Sequence, residues 1–461
     1  MSNLEKIKTK EAAELKSLRK KQAKPEYKQY LLVLMCLITL INVVDETASV
    51  IGTSVQSSVV TEFFVNGMGL SYNEGLSSFS LIATFGSLMM LVIPFYKALG
   101  DKLGRKPLLV ISSLGMSVAL LVCFFSTSHI IYFAGLIMLQ FFVGHDMQIV
   151  YVLESAPAKS RARIYSVVKF LGILGVVLIP ILRSTLMGID PTRWRMIFIV
   201  PALLALVAAA VAFFASRETK VFVDSRIAYL EKPYDERMEE KKLKKANQEK
   251  TGVFSGIKYL FSTRDLKWQT ISYMIFFTGA AAMSMYYESI MSVGGMSTEA
   301  ITQALFMYPF VYAALTLVSG FVADFAGRKQ TIVIFAVVAV VAFFLFIAGA
   351  GNGWNPYLVG ALYGLYLGCY WVGCDYQIIM ATEKVATSIR LSSVAAMGLL
   401  RFGGMVLGLV TVTVGMRYAS IGTICLAISV PAIIISIIIM ALTVKESNGA
   451  DMGTAGTDDI A

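Results

Sequence analysis

Long apolar runs, separated by short polar clusters, recur along nearly the whole chain. They fall near 30–58, 75–97, 107–127, 130–153, 164–187 and 194–216, and again near 269–293, 300–323, 330–350, 356–381, 391–415 and 418–444. A run of about 18 or more apolar residues is long enough to cross the hydrocarbon core of a bilayer as an α-helix. The pattern predicts an all-α membrane protein with twelve transmembrane helices in two pseudo-symmetric six-helix bundles. An even number of crossings puts both termini on one side.

Between and around the runs the chain divides into a basic tail (1–29), a first bundle (30–216), a polar linker (217–268), a second bundle (269–445) and a polar tail (446–461). The linker is rich in Lys and Glu and reads as cytoplasmic, with helical patches and no enzyme signature. Residues 4–28 have helix-forming composition and many lysines, which fits either a solvated tail or one lying on anionic lipid. The C-terminal residues 447–461 have the composition of disorder. The first run is too long for a signal-peptide core and reads as an uncleaved anchor.

Composition agrees: 57% of the 461 residues are hydrophobic and 15% charged, against about 25% charged in soluble domains. The net charge of +10 could point to nucleic acid, but its distribution argues against that. Of 40 Lys and Arg, only Arg183, Arg193, Arg195 and Arg417 fall near one set of loops, and Lys169 and Arg401 lie inside runs. The rest lie on the side of both termini, which is therefore cytoplasmic, with the plasma membrane as the expected location. The five cysteines all fall in apolar runs and read as small packing residues, and two histidines are too few for a histidine-rich metal site. No cofactor is expected. The chain has no phosphate-binding Gly-Lys-Ser/Thr loop and no nucleophile–base constellation, so neither an ATPase nor another enzyme is expected.

The halves repeat. Gly100-Asp101-Lys102-Leu103-Gly104-Arg105-Lys106 matches Ala323-Asp324-Phe325-Ala326-Gly327-Arg328-Lys329, 223 residues later. Asp146, Gln148, Ile149, Glu154 and Arg161 match Asp375, Gln377, Ile378, Glu383 and Arg390, each 229 later. Arg217-Glu218-Thr219 matches Lys445-Glu446-Ser447, 228 later. Repeated halves of this kind place a transporter's site at their shared interface.

Asp101-Lys102-Leu103-Gly104-Arg105-Lys106, between the second and third runs, resembles the signature loop of the major facilitator superfamily. Its second copy, between the eighth and ninth runs, starts from Gly320, whereas the first has Lys97 at that place. Glu154-x-x-Pro157-x-x-x-Arg161 is similar to the sugar porter, organic cation and aromatic acid branches, and Tyr286-Tyr287 resembles the sugar porters. Departures from the sugar-porter pattern are Lys169, where Gln is usual, and Trp371 without a neighbouring Pro. The helix-five glycine pattern of proton-driven drug exporters is missing from 172–180. The resemblance implies that Asp101, Arg105, Glu154, Arg161, Asp324, Arg328, Glu383 and Arg390 form breakable ion pairs at a cytoplasmic gate.

Charges within the runs are costly and mark function or tight pairing. This deep set is Asp45, Glu46, Asp146, Lys169, Glu288, Asp375 and Arg401. At about 1.5 Å per residue, Asp146 and Lys169 lie equally deep on consecutive helices, and Asp375 and Arg401 lie at comparable depth, so both sets read as ion pairs, static or functional. Asp45 and Glu46 have no obvious deep cation as partner. A carboxylate so placed can carry a proton near neutrality, with Glu288 the next candidate and simple exposure to a wet cavity the alternative. Asn42 lies one turn before both. Tyr286, Tyr287, His145, Gln148, Tyr370, Trp371 and Gln377 supply rings and amides suited to a polar organic solute.

These features predict secondary active transport of a small polar or charged organic solute, such as a sugar or organic acid, by alternating access with proton coupling. The expected partners are that solute, protons and the lipid bilayer, with no nucleic acid, and the chain is expected to be a monomer. Efflux of cationic or amphipathic compounds and a non-transporting membrane receptor are the alternatives.

Overall fold

The computed structural model describes residues 3–23, 30–92, 96, 103–143, 151, 155, 161–188, 190–240, 253–385 and 390–447. Every regular element among them is helical. The principal helices are α1 (Asn3–Gln22), α2 (Tyr30–Ile51), α3 (Tyr72–Ser87), α4 (Arg105–Phe124), α5 (His129–Val143), α6 (Arg161–Leu174), α7 (Ile199–Ala215), α8 (Lys220–Glu231), α9 (Val253–Leu260), α10 (Arg264–Ser284), α11 (Tyr287–Val293), α12 (Thr298–Ala326), α13 (Arg328–Gly351), α14 (Pro356–Lys384), α15 (Arg390–Gly415) and α16 (Ile421–Thr443).

Among the described residues, nine helices are long and apolar enough to cross a membrane, and His129–Val143 is a shorter apolar helix. Over the described residues, each expected span falls on helix. The first and fifth are interrupted ones. After Ile51 the first continues through a 3-10 turn at Thr53–Val55, and α6 runs on through Gly175–Val177 to Met187. The seventh breaks at Tyr286, between α10 and α11. Phe214, Phe321 and Leu442 are about four-fifths exposed, as side chains facing hydrocarbon can be.

The helices group into two compact units. The first comprises Met1–Ser49, Leu88–Val176 and Phe198–Gln248. In it α2 lies close against α6. The Asn42 side chain donates to the Val168 carbonyl at 3.1 Å, and Thr47 donates to the Gly175 carbonyl at 3.1 Å. A Cβ on Gly172 would meet the Asn42 side chain, and one on Gly175 would meet Val43. Small residues let the backbones approach, since packing rather than hydrophobic transfer holds helices together in lipid.

The second unit comprises Val50–Ser87, Val177–Ile197 and Glu249–Ala461. Here two glycine stripes do the same work. Gly360, Gly364 and Gly368 turn one side of α14 against α12, and a Cβ on Gly364 would lie 2.5 Å from the Tyr308 carbonyl oxygen. Gly404 and Gly408 of α15 lie against α10, where a Cβ on Gly404 would come 2.5 Å from the Met274 carbonyl oxygen.

Where it is described, the basic tail is a helix packed against the linker. Helix α1 packs on linker helix α8, burying Leu18 with Val223, Ile227 and Leu230, with Leu15 and Tyr229 at the edge. Glu11, Glu14, Leu15 and Leu18 fall at helical spacing, so one face carries both the apolar and the acidic contacts. Arg237 pairs with Glu11 at 2.9 Å, Arg226 with Glu14 at 2.8 Å and Arg19 with Glu231 at 2.7 Å. Of the cysteines, Cys123, Cys369, Cys374 and Cys425 are buried as expected, but Cys36 is exposed.

Candidate functional site

The signature loop turns out to be a helix cap made twice. Gly104 and Gly327 take φ of 100° and 93°, an extended left-sided conformation open only to glycine. Each turns the chain into a helix that has Arg and Lys as its first residues. In the first unit the Glu218 carboxylate accepts the backbone N–H of Arg105 at 2.7 Å and of Lys106 at 3.2 Å. In the second, Glu446 accepts those of Arg328 and Lys329, both at 3.0 Å. A carboxylate there satisfies orphan N–H groups and meets the positive end of the helix dipole. Lys106 reaches the carbonyls of Phe213 and Ser216, and Lys329 that of Ala441, tying each turn to the end of the last span of its half.

Among the expected gate residues, Arg328 pairs with Glu383 at 3.4 Å and also donates to the Ala323 carbonyl at 3.0 Å. Glu383 accepts from the Ser447 hydroxyl at 2.5 Å. The neighbouring Lys384 donates to Asp265 at 2.7 Å and to the Lys445 carbonyl at 2.6 Å. Burial pulls the Lys384 ammonium below the ordinary lysine value even though the Asp265 carboxylate favours the charge. The Arg105 guanidinium lies 5.7 Å from the Phe222 ring centroid. Asp101 and Glu154 lie outside the described residues, as do the side chains of Arg161, Asp324 and Arg390.

Of the deep set and the expected solute path, His145, Asp146 and Gln148 lie outside the described residues, as does the Lys169 side chain. Asp45 and Asn42 are buried and Glu46 is half-buried. The two carboxylates are not without partners, so lack of a partner does not single them out as proton carriers. In place of the expected ion pair with Asp375, the Arg401 guanidinium lies 4.7 Å from the centroid of Phe277, with Tyr273 beside it. The Asp375 side chain is exposed while Arg401 is half-buried. A guanidinium over a ring face is held by a cation–π attraction in place of a carboxylate.

Around Arg401 the aromatic residues form a continuous column on α14 and its neighbours. Tyr287 stacks on Tyr363 at 4.7 Å, Tyr366 on Tyr370 at 6.2 Å, and Tyr370 on Phe276 at 5.3 Å. Trp371 meets Phe277 edge-on at 6.3 Å. Gln377, seven residues beyond Tyr370, is fully buried. Gln269 donates to its backbone carbonyl at 3.0 Å. The hydroxyls of Tyr273, Tyr366 and Tyr370, the Gln269 side-chain oxygen and both amide atoms of Gln377 are buried with no hydrogen-bond partner.

Glu288 heads α11 and is 1% exposed. It accepts from the Ser57 N–H at 2.8 Å and the Ser57 hydroxyl at 2.6 Å. Its counter-charge is Arg183, at 3.8 Å and 1% exposed. The sequence reading treats Arg183 as a loop charge, and this is the functional candidate it missed. The usable signal was its place four residues inside the fifth run, against a rule that clears basic residues from the outer side. Tyr286 and Tyr287, beside Glu288, are likewise buried.

The chain is similar to known proteins in sequence and fold. The family model described as Major Facilitator Superfamily matches residues 35–409. A glucose transporter, GlcP of Staphylococcus epidermidis, is 24% identical over 294 residues, 59% of this chain and 65% of its own. The chain thus spans about 65% of the length of that curated relative. A crystal structure of a D-xylose-proton symporter aligns with a TM-score of 0.65 at 15% identity, over 91% of this chain and 99% of its own. The xylose transporter XylE from E. coli, partially occluded and inward open, aligns with a TM-score of 0.62 at 16% identity, over 92% of this chain and all of its own. A bacterial homologue of the lysosomal transporter Spinster aligns at 0.57 and 14% identity, over 91% of this chain and 96% of its own. The likeness to these structures is one of fold, with twelve helices in two pseudo-symmetric bundles. With the family match extending over most of the chain, the protein belongs to the Major Facilitator Superfamily.

Proposed function

We propose that the protein carries a small polar organic solute, with sugars as the first class to test, across the membrane by alternating access coupled to protons. The observation that supports this most directly is the wall of α10 and α14. Buried hydroxyl and amide groups left without partners cost free energy, and five residues there hold such groups among stacked rings. A polyol would satisfy those groups through its hydroxyls and lay its apolar face on the rings. The relatives known as a glucose transporter and a D-xylose-proton symporter point to the same solute class and the same coupling ion. The candidate proton carriers are Asp45, Glu46 and Glu288, and the remaining pathway and gate residues keep the roles expected from the sequence, except that Arg401 sits over Phe277 instead of pairing with Asp375.

The test is counterflow and uptake in proteoliposomes under an imposed pH gradient, with sugars, carboxylates, aromatic acids and amines as the panel. Labelled sugar should exchange without a gradient and accumulate with an inward proton gradient. Asp45→Asn or Glu46→Gln should keep exchange and lose accumulation. Exchange of amines alone would replace the sugar reading with cation efflux.

A further inference from the structure

Arg183 is buried at a place where the chain has two interrupted helices. Its guanidinium donates to the Thr302 hydroxyl at 3.1 Å and to the Ser54 carbonyl, and faces the Glu288 carboxylate. Ser54 lies within the 3-10 turn that interrupts the first span, Ser57 lies just after it, and Glu288 follows the break at Tyr286. Ser289 donates to the Gln56 side chain at 2.8 Å, and the Thr53 hydroxyl lies 3.4 Å from that of Tyr287. Both charges and all these partners belong to the second unit, yet Arg183, Ser54 and Ser57 come from the first half of the sequence and Glu288 and Thr302 from the second.

A dehydrated ion pair is a poor way to hold helices together, because an apolar pair of the same shape does so at no desolvation cost. It is well suited to a seam that must open, since both charges regain water once separated, whereas an apolar seam loses its burial. The donors are arranged for this. Apart from Thr302 in α12, every group on the pair lies in or beside a helix irregularity, so small backbone rotations at Thr53–Val55 and Tyr286 can part it without unwinding a whole span.

We propose that Arg183 is a positioning residue of the transport cycle. It holds Glu288 against Ser57 and so locks the two broken helices together at the end of the bundle expected to face outside. This rests on the transport reading of the preceding section, and it goes beyond that reading by assigning a role to a residue outside the solute wall. Arg183 acts through Glu288 and touches no solute.

The experiment uses the full chain in proteoliposomes, with Ser289→Cys as reporter in a Cys36→Ser background and a membrane-impermeant maleimide as probe. With Arg183 intact the reporter should label slowly. Arg183→Gln and Glu288→Gln should each speed labelling by about tenfold or more, the shift expected when a dominant closed state loses a buried charge contact. Arg183→Lys, which keeps the charge but not the forked donors, should fall between. The exchanged pair Arg183→Glu with Glu288→Arg should slow labelling again, a rescue that a merely space-filling role would not give. Equal labelling rates in parent, Arg183→Gln and Arg183→Lys, all eluting as the same monodisperse species, would overturn the proposal. Labelling needs no solute, so faster labelling in proteins that transport nothing in the panel would support the lock while the transport reading failed.

Discussion

Arg195 grips Glu62 with both terminal nitrogens, at 2.8 and 2.5 Å, while Trp194 donates its ring N–H to the same carboxylate at 2.8 Å. The guanidinium lies 4.4 Å from the Trp194 ring centroid and 5.3 Å from that of Phe63, and Trp194 is fully buried. The contact staples the segment after the first span to the start of the sixth. Partial burial works against ionisation of Glu62, but the bonds from Arg195 and Trp194 and the arginine charge outweigh it and hold the carboxyl below its ordinary value. A carboxyl lowered by folding stabilises the fold fully above the unfolded value of 4.5 and loses that contribution as pH falls through the lower folded value. Glu62→Gln should therefore lower stability by about 1 kcal/mol at neutral pH, because the pair is partly open to solvent. The difference from the parent should shrink in acid, measured by thermal unfolding in detergent across pH. A difference independent of pH would mean that shape rather than charge carries the contact.

The duplicated cap makes a second prediction. A Cβ on Gly327 would lie 2.7 Å from a Glu446 carboxylate oxygen, and one on Gly104 would lie 2.2 Å from Glu218. Gly327→Ala should cost about 2 kcal/mol or more from its backbone conformation, before any displacement of the carboxylate. Glu446→Ala should cost about 1 kcal/mol, the usual loss for removing a cap. The two should be less than additive, because alanine at 327 already disturbs the carboxylate. Thermal unfolding of the two single variants and the double variant decides it.

These two contacts show how much the sequence disclosed. The apolar runs located the spans because bilayer thickness imposes a length that needs no partner to recognise. The match of Glu218 with Glu446 was visible at an offset of 228, close to that of the two glycine loops. Their joint role was not, because capping joins residues more than a hundred positions apart. Arg183 was misplaced for the same reason. Its burial depends on Ser54, Glu288 and Thr302, and only folding brings these to one point. The tail shows a third case. The face formed by Glu11, Glu14, Leu15 and Leu18 was legible as helical, while its receiver, α8, lies two hundred residues downstream.

Docking of α1 on α8 should be measurable without transport. Leu18 is 5% exposed against Val223, Ile227 and Leu230. Leu18→Asp puts a charge into that cluster, and Arg237→Ala removes the partner of Glu11. Burial of a leucine is worth about 1.5–3 kcal/mol, so Leu18→Asp should raise amide exchange over residues 9–22 by about tenfold or more, with α8 following in part. Arg237→Ala should have a smaller effect in the same direction. Exchange confined to the mutated turn would show that α1 holds its place by other contacts.

The aromatic wall offers a test that separates binding from turnover. Tyr370 and Gln377 stand two turns apart on α14, both buried, and the Tyr370 hydroxyl and the Gln377 side-chain amide make no hydrogen bond. Removing a group that the protein does not itself use should leave stability unchanged or slightly higher, since an unsatisfied polar atom is taken away. Removing a group that the solute uses should weaken binding by about 1–1.5 kcal/mol, roughly tenfold in apparent affinity. Tyr370→Phe deletes one oxygen and keeps the ring stacked on Phe276 and Tyr366. Gln377→Leu deletes the amide and keeps the volume. Each should raise the half-saturating solute concentration in counterflow with little change in melting temperature, and Tyr370→Ala should add a loss of stability from the broken stack. If instead Tyr370→Phe and Gln377→Leu lower the melting temperature and leave half-saturation untouched, these atoms serve packing, and the solute contacts lie elsewhere.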